Sequence, residues 1–346
     1  MPPPTWYAAG IPLAPMEQRR WERLGRDLGV VGLGCWQLGA GWGAVSEDDA
    51  MATLHAAADA GVTCFDTADV YGDGRSERLV GRMRAERIAD EEEPVFIATK
   101  MGRRANPHVP EAFTLEAFRA WVDRSRANLD MDTLDLVQLH CPPPSVLDSD
   151  QIFDALDELV QEGRIAAYGV SVETCAEALA AISRPGVVSV QIILNAFRPK
   201  PLEEVLPAAA AAGVAIIARV PLASGLLTGR YDESTTFPAE DHRAFNRHGD
   251  AFDVGETFSG VPYEVGVQAA REIAALTPPG WSTAQLALRW VLDQPGVSVV
   301  IPGARNPAQA LDNVVAAHLD PLPQATLTAM AEIYDHHIRE HIHARW

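Results

Sequence analysis

Along this 346-residue chain, short β-branched runs alternate with amphipathic segments of helical period. The runs are VVGLGCW ending at Trp36, VTCFD ending at Asp66, VFIATK ending at Lys100 and LDLVQLH ending at His140. They continue with IAAYGVS ending at Ser171, VVSVQIIL, VAIIAR ending at Arg219, and VSVVI ending at Ile301. Strands separated by helices pair in parallel, because only a crossover returns the chain to the same edge of a sheet. Eight such units close a (β/α)8 TIM barrel. The rival is a doubly wound sheet, whose first βα turn carries a G-x-G-x-x-G fingerprint. Here Gly32 and Gly34 are followed by Gln37 at the third position, and no G-x-x-x-x-G-K-[ST] loop exists. The barrel is therefore the expected fold.

Helix signals fill the intervals. Ser46 and Thr114 stand as N-caps, the latter before a face of Leu115, Phe118, Val122 and Leu129. Ile152, Phe153, Leu156, Leu159 and Val160 form another apolar stripe, and Asn306–Pro307 is a cap followed by proline at the first helical position. Residues 223–260, after the seventh strand, lack periodicity. A loop of that length either covers a site or is disordered. Helices are expected near 264–276 and 282–292, with an extra C-terminal helix over 324–340. Residues 1–20 read as a disordered or extended lead and 21–346 as a single barrel domain. Met16, just before the first charged stretch, reads as an alternative start.

Lys+Arg number 28 against 47 Asp+Glu, a formal charge of −19. So acidic a chain repels phosphate backbones and anionic membrane surfaces, so neither nucleic acid nor membrane is an expected partner. The four cysteines show no C-x-x-C spacing and read as reduced thiols in a cytoplasmic setting. There is neither a basic, apolar secretory leader nor an apolar run long enough to span a bilayer. His336, His337, His341 and His343 lack acidic or cysteine companions and read as a solvated tail rather than a metal site. No heptad or other assembly signature is present.

Catalytic groups in such a barrel sit at the C-terminal ends of the strands. Asp66, Lys100 and His140 close the second, third and fourth runs, and Tyr71 follows Asp66 by five residues. Together with GVTCFDTADVYGDGRSERLVGR, FIATKMG, LDLVQLHCP, EGRIAAYGVS, VPLASGLLTGR and IPGARNPAQALDN, these residues make the chain closely resemble the aldo-keto reductase superfamily. The resemblance runs from about Leu24 to His318. It implies a barrel holding NADP(H) without a Rossmann fold, and a tetrad of Asp66, Tyr71, Lys100 and His140. In that scheme Tyr71 is the general acid and Lys100 lowers its pKa. Asp66 orients the lysine, while His140 polarises the substrate carbonyl.

The resemblance further implies cofactor contacts at Ser171 and Gln191 for the carboxamide. Val172 stands where many members have asparagine. Arg219 replaces a stacking tyrosine, and its charge would favour the reduced cofactor; the competing reading is a salt bridge to a neighbouring carboxylate. Leu222, Gly225, Leu227 and Thr228 fall in the segment over the pyrophosphate. Gly303 allows close approach, Arg305 meets the 2′-phosphate, and Gln309 and Asn313 meet the adenine. Trp36 and Trp42 are expected to line an apolar substrate pocket. The expected activity is NADPH-dependent reduction of aldehydes or ketones. The alternatives are a sugar dehydrogenase with Tyr71 as base and a slow-turnover NADPH-sensing subunit.

Overall fold

A computed structural model describes residues 14–39, 42 and 45–346. The expected disorder of the lead falls mostly on residues 1–13, outside the described residues. The chain enters as a hairpin of β1 (Gln18–Trp21) and β2 (Arg26–Gly29), paired antiparallel from Gln18↔Gly29 to Trp21↔Arg26. This hairpin straddles the domain boundary expected at residue 20.

Eight parallel strands follow: β3 (Leu33–Gly34), β4 (Cys64–Asp66), β5 (Phe96–Met101), β6 (Leu136–His140), β7 (Tyr168–Ser171), β8 (Val187–Ile193), β9 (Ala215–Arg219) and β10 (Val297–Val300). They pair in sequence order. The bridges Val31↔Val300 and Gly34↔Gly303 bring the last strand back to the first, with Gly32 N donating to Val300 O at 2.8 Å. The sheet is thus closed. The expected caps are present: Ser46, Thr114 and Asn306 accept from the backbone N–H three residues on. The C-terminal helix stops at His337, and a short turn Arg339–Ile342 follows. No described helix is long and apolar enough to cross a membrane.

Strand side chains alternate in direction, and the two buried clusters separate accordingly. Phe65, Ile97, Val137, Val170, Ile216 and Val300 face outward, against the helices. Cys64, Phe96, Ala98, Leu136, Ala215, Ile217 and Val299 face the barrel interior, with Trp21 and Leu28 of the hairpin. The hairpin is therefore the floor of the barrel. Trp21 packs edge-on to Phe96, with centroids 6.0 Å apart. Two arginines fasten it. Arg19 donates to Val297 O at 2.6 Å and Leu292 O at 2.9 Å, and Arg23 to Val187 O at 2.8 Å. Trp21→Ala is expected to cost about 3–5 kcal/mol, the usual price of emptying a buried indole site. Chemical denaturation at constant m-value will show it as a lowered midpoint.

Candidate active site

The same alternation places the site. Counting in twos from the interior residues Cys64, Phe96, Leu136 and Ala215 reaches Asp66, Lys100, His140 and Arg219 at the strands' C-terminal ends. These groups enclose one mouth. Lys100 Nζ lies 2.5 Å from Asp66 Oδ1, 2.8 Å from Thr67 O and 3.4 Å from Tyr71 Oη. Tyr71 reaches it from the turn after β4. Gly39 packs flat on that turn, where a Cβ would lie 2.6 Å from the Tyr71 carbonyl carbon. The His140 ring stands edge-on to Tyr71, centroids 5.9 Å apart. The four tetrad residues are thus in mutual reach.

Burial governs their protonation. It opposes charge on Lys100, yet Asp66 and Tyr71 together hold that ammonium above its ordinary pKa. Burial is also the largest influence on Tyr71 and raises its pKa, although Lys100 pulls it down. The expected influence of the lysine is present, since Lys100 lowers the Tyr71 pKa, but burial acts in the opposite sense and the net shift is upward. His140 is driven well below its usual value by burial, then by Arg103, Lys100 and Arg219, so its imidazole is neutral.

A cleft of about 470 Å³ runs from Tyr71 and His140 to the N-terminus of the helix Pro307–Val315. Ser171, Gln191, Arg219, Leu222, Gly225, Thr228, Gly303, Arg305, Gln309 and Asn313 all line it. Leu227 does not: it is fully buried in the core. Gln191 is already engaged, donating to Asp66 Oδ2 at 2.7 Å. Gln309 and Asn313 make local bonds, to Arg305 N at 2.9 Å and to Gly303 O at 3.2 Å. Residues 223–260 are ordered and roof the cleft through Tyr231, Phe237 and Glu256.

Arg219 departs most from expectation. Its Nη2 meets Glu173 Oε2 and Val172 O, both at 2.9 Å, and its Nη1 meets Glu256 Oε2 at 2.7 Å. Arg103 Nη2 stands 3.7 and 3.8 Å from the same two glutamates. The competing salt-bridge reading holds: this guanidinium is balanced by two carboxylates and is not an unopposed charge.

Trp36 and Trp42 line the cleft as expected, Trp36 stacked on Tyr71 with centroids 6.0 Å apart. Sequence reasoning missed His242, whose ring lies 4.8 Å from Trp36 and 4.4 Å from Trp42. Burial lowers it to about 4, so its imidazole is neutral, fully buried against the two tryptophans. Of the C-terminal histidines, His336 and His341 are exposed as expected, while His337 and His343 are packed against the protein. His337 pairs with Glu272 at 2.9 Å, His343 meets Tyr334 Oη at 2.8 Å, and Ile338, Ile342 and Trp346 between and beyond them are buried.

Asp69, in the turn between Asp66 and Tyr71, was also overlooked. It is 1% exposed with no hydrogen bond to either carboxylate oxygen, and burial followed by Glu77 pushes it up to about 7. A raised carboxyl pKa favours folding at low pH and loses that contribution as pH rises through the folded value. Asp69→Asn is therefore expected to melt several degrees above wild type at pH 8, with the gap shrinking toward pH 5 in thermal scans.

The family model described as "Aldo/keto reductase family" matches residues 30–335. Aldo-keto reductase YhdN of Bacillus subtilis is 30% identical over 327 residues, covering 92% of this chain and 94% of that protein. The fission yeast Schizosaccharomyces pombe protein named aldo-keto reductase yakc [NADP(+)] is 28% identical over 321 residues, covering 91% of each. Among solved structures, the glycerol dehydrogenase AKR11B4 from Gluconobacter oxydans superposes with a TM-score of 0.73 at 29% identity, covering 94% of this chain and 96% of that one.

Proposed function

This chain belongs to the aldo/keto reductase family, and from that premise we propose that it is an NADPH-dependent oxidoreductase reducing small aldehydes or ketones to alcohols. The observation that carries the reading is the buried Lys100–Asp66 pair with Tyr71 Oη 3.4 Å from the ammonium, at the wall of a single long cleft.

The cleft suits a dinucleotide phosphate. Its far end offers Gly303, where a Cβ would overlap the Gln37 amide, beside the N-terminus of Pro307–Val315 and the exposed guanidinium of Arg305. Helix N-termini and planar guanidinium forks both suit phosphate oxygens. A relative whose name carries NADP(+) supports this choice. At the near end, Ser171 Oγ has only the Cys141 thiol beside it, at 3.9 Å, and so offers a hydroxyl to a carboxamide. When bound, the cofactor supplies the hydride.

The chain's own residues do the rest. Neutral His140 and the Tyr71 hydroxyl bracket the substrate carbonyl oxygen. As hydride reaches the carbon, charge grows on that oxygen and the Tyr71 proton moves to it. Lys100 then holds the phenolate, with Asp66 and Thr67 O fixing the ammonium. Burial keeps the Tyr71 hydroxyl protonated at neutral pH, the form that can donate. The same groups serve the sugar-dehydrogenase reading when the reaction runs in reverse, with Tyr71 as base. Trp36 and Trp42 would admit an apolar or planar substituent beside the reacting group.

Steady-state assays with NADPH and a panel of carbonyls, followed by loss of reduced-nicotinamide absorbance, test the reading. Turnover only with sugars and oxidised cofactor would reverse the assigned direction. Tyr71→Phe is expected to lower kcat by roughly 10²–10⁴-fold while leaving the NADPH dissociation constant unchanged. Arg305→Ala is expected to weaken NADPH by about tenfold and NADH little, by fluorescence titration.

A further inference from the structure

Glu256 belongs to the stretch that roofs the cleft, yet its carboxylate turns inward to the end of β9. It is buried and lines the cleft together with Arg219, His140 and Ser171. Its Oε2 lies 2.7 Å from Arg219 Nη1, and the opposite edge of the same guanidinium is held by Glu173 at 2.9 Å. With Arg103 near both glutamates, two positive and two negative groups make a locally neutral cluster.

The location decides what this cluster acts on. If Tyr71 and His140 hold the carbonyl oxygen, the hydride donor must sit within contact of the carbonyl carbon. The nicotinamide ring therefore lies at this end of the cleft, beside Arg219 and Glu256. The oxidised ring carries one positive charge that the reduced ring lacks. An unopposed guanidinium at this point would repel the oxidised form; a balanced one does not.

We propose that Glu256 is a positioning residue that, by pairing with Arg219 beside the nicotinamide, sets the relative affinity of the protein for oxidised and reduced NADP. The inference rests on the proposed NADP(H) site and assigns a role to a residue outside the tetrad and outside the phosphate contacts. It also explains how arginine is tolerated where a neutral stacking ring would otherwise stand.

The test is the ratio of two dissociation constants, Kd(NADP+) over Kd(NADPH), measured by intrinsic fluorescence or calorimetric titration without substrate. Glu256→Gln leaves one excess positive charge and is expected to raise the ratio by about tenfold, the scale of a unit charge acting through a partly screened site. Arg219→Gln leaves an excess negative charge and is expected to lower it. Glu256→Asp keeps the charge and is expected to return the ratio to the wild-type value even if both constants weaken. A purely structural tie between roof and barrel would shift both constants together. An unchanged ratio in Glu256→Gln, or a shift of the same sign in Arg219→Gln, overturns the proposal. Failure of the wild-type protein to bind either cofactor would instead overturn the proposed function on which it rests.

Discussion

An ammonium group with almost no solvent contact, set in the mouth of a barrel, needs a full set of partners. Lys100 has them: the Asp66 carboxylate, the Thr67 carbonyl and the Tyr71 hydroxyl. Breaking a buried pair strands an uncompensated charge, so each partner is fixed in turn. Asp66 Oδ2 accepts from Gln191 at 2.7 Å and from Gln138 at 3.3 Å, joining β4, β6 and β8 through one carboxylate. Thr67 Oγ1 donates to Ser76 Oγ at 2.8 Å, and Ser76 Oγ donates to Cys35 O at 2.8 Å, tying the following helix to the end of β3. The proposed proton donor is thereby held by a hydrogen-bonded lattice that spans half the barrel's circumference.

Much of this was legible in the sequence, because the relevant signals are local. Hydrophobic runs and caps mark strands and helices without knowledge of the fold, and a residue ending a strand marks the catalytic rim once the barrel is assumed. The tetrad is of that kind. What escaped was set by distance along the chain. The floor hairpin, QRRW and RDLG, shows no apolar alternation, since only Trp21, Leu28 and Gly29 are buried in it. Its purpose depends on an interior that exists only after closure. Likewise Arg219 ends β9 while Arg103, Glu173 and Glu256 come from three separate connections, and no spacing announces that they meet. Tyr71 shows a third kind of miss. Its neighbours were named correctly, but the burial that outweighs them is a property of the packed state. Leu227 shares a segment with cleft-lining residues, but its side chain is buried in the core, which the segment's sequence does not announce.

The acidic composition also changes meaning in the folded protein. Part of the negative charge is peripheral and pairs with surface arginines: Arg82 with Glu47 and Glu86, Arg119 with Glu158 and Glu162, and Arg271 with Glu233. Such exposed pairs contribute little to stability. Inside the mouth, Lys100 has its carboxylate and Arg219 has two. At the far end of the cleft Arg305 stands beside a helix N-terminus. In the proposed function the paired charges of the mouth would lie at the reaction end of the cleft and Arg305 at the end that anchors the cofactor phosphate.

The floor hairpin has a consequence for traffic. Trp21, Leu28 and Phe96 are buried across the base of the barrel, and among the described residues the cleft of the candidate site opens at the other end. In the proposed reaction, a proton given up by Tyr71 would be replaced from bulk water through the opening by which substrate enters and product leaves. Reprotonation and product departure then share a single doorway. On that reading, recharging the proton donor and releasing the product would compete for one passage, a coupling that comes from the shape of the container.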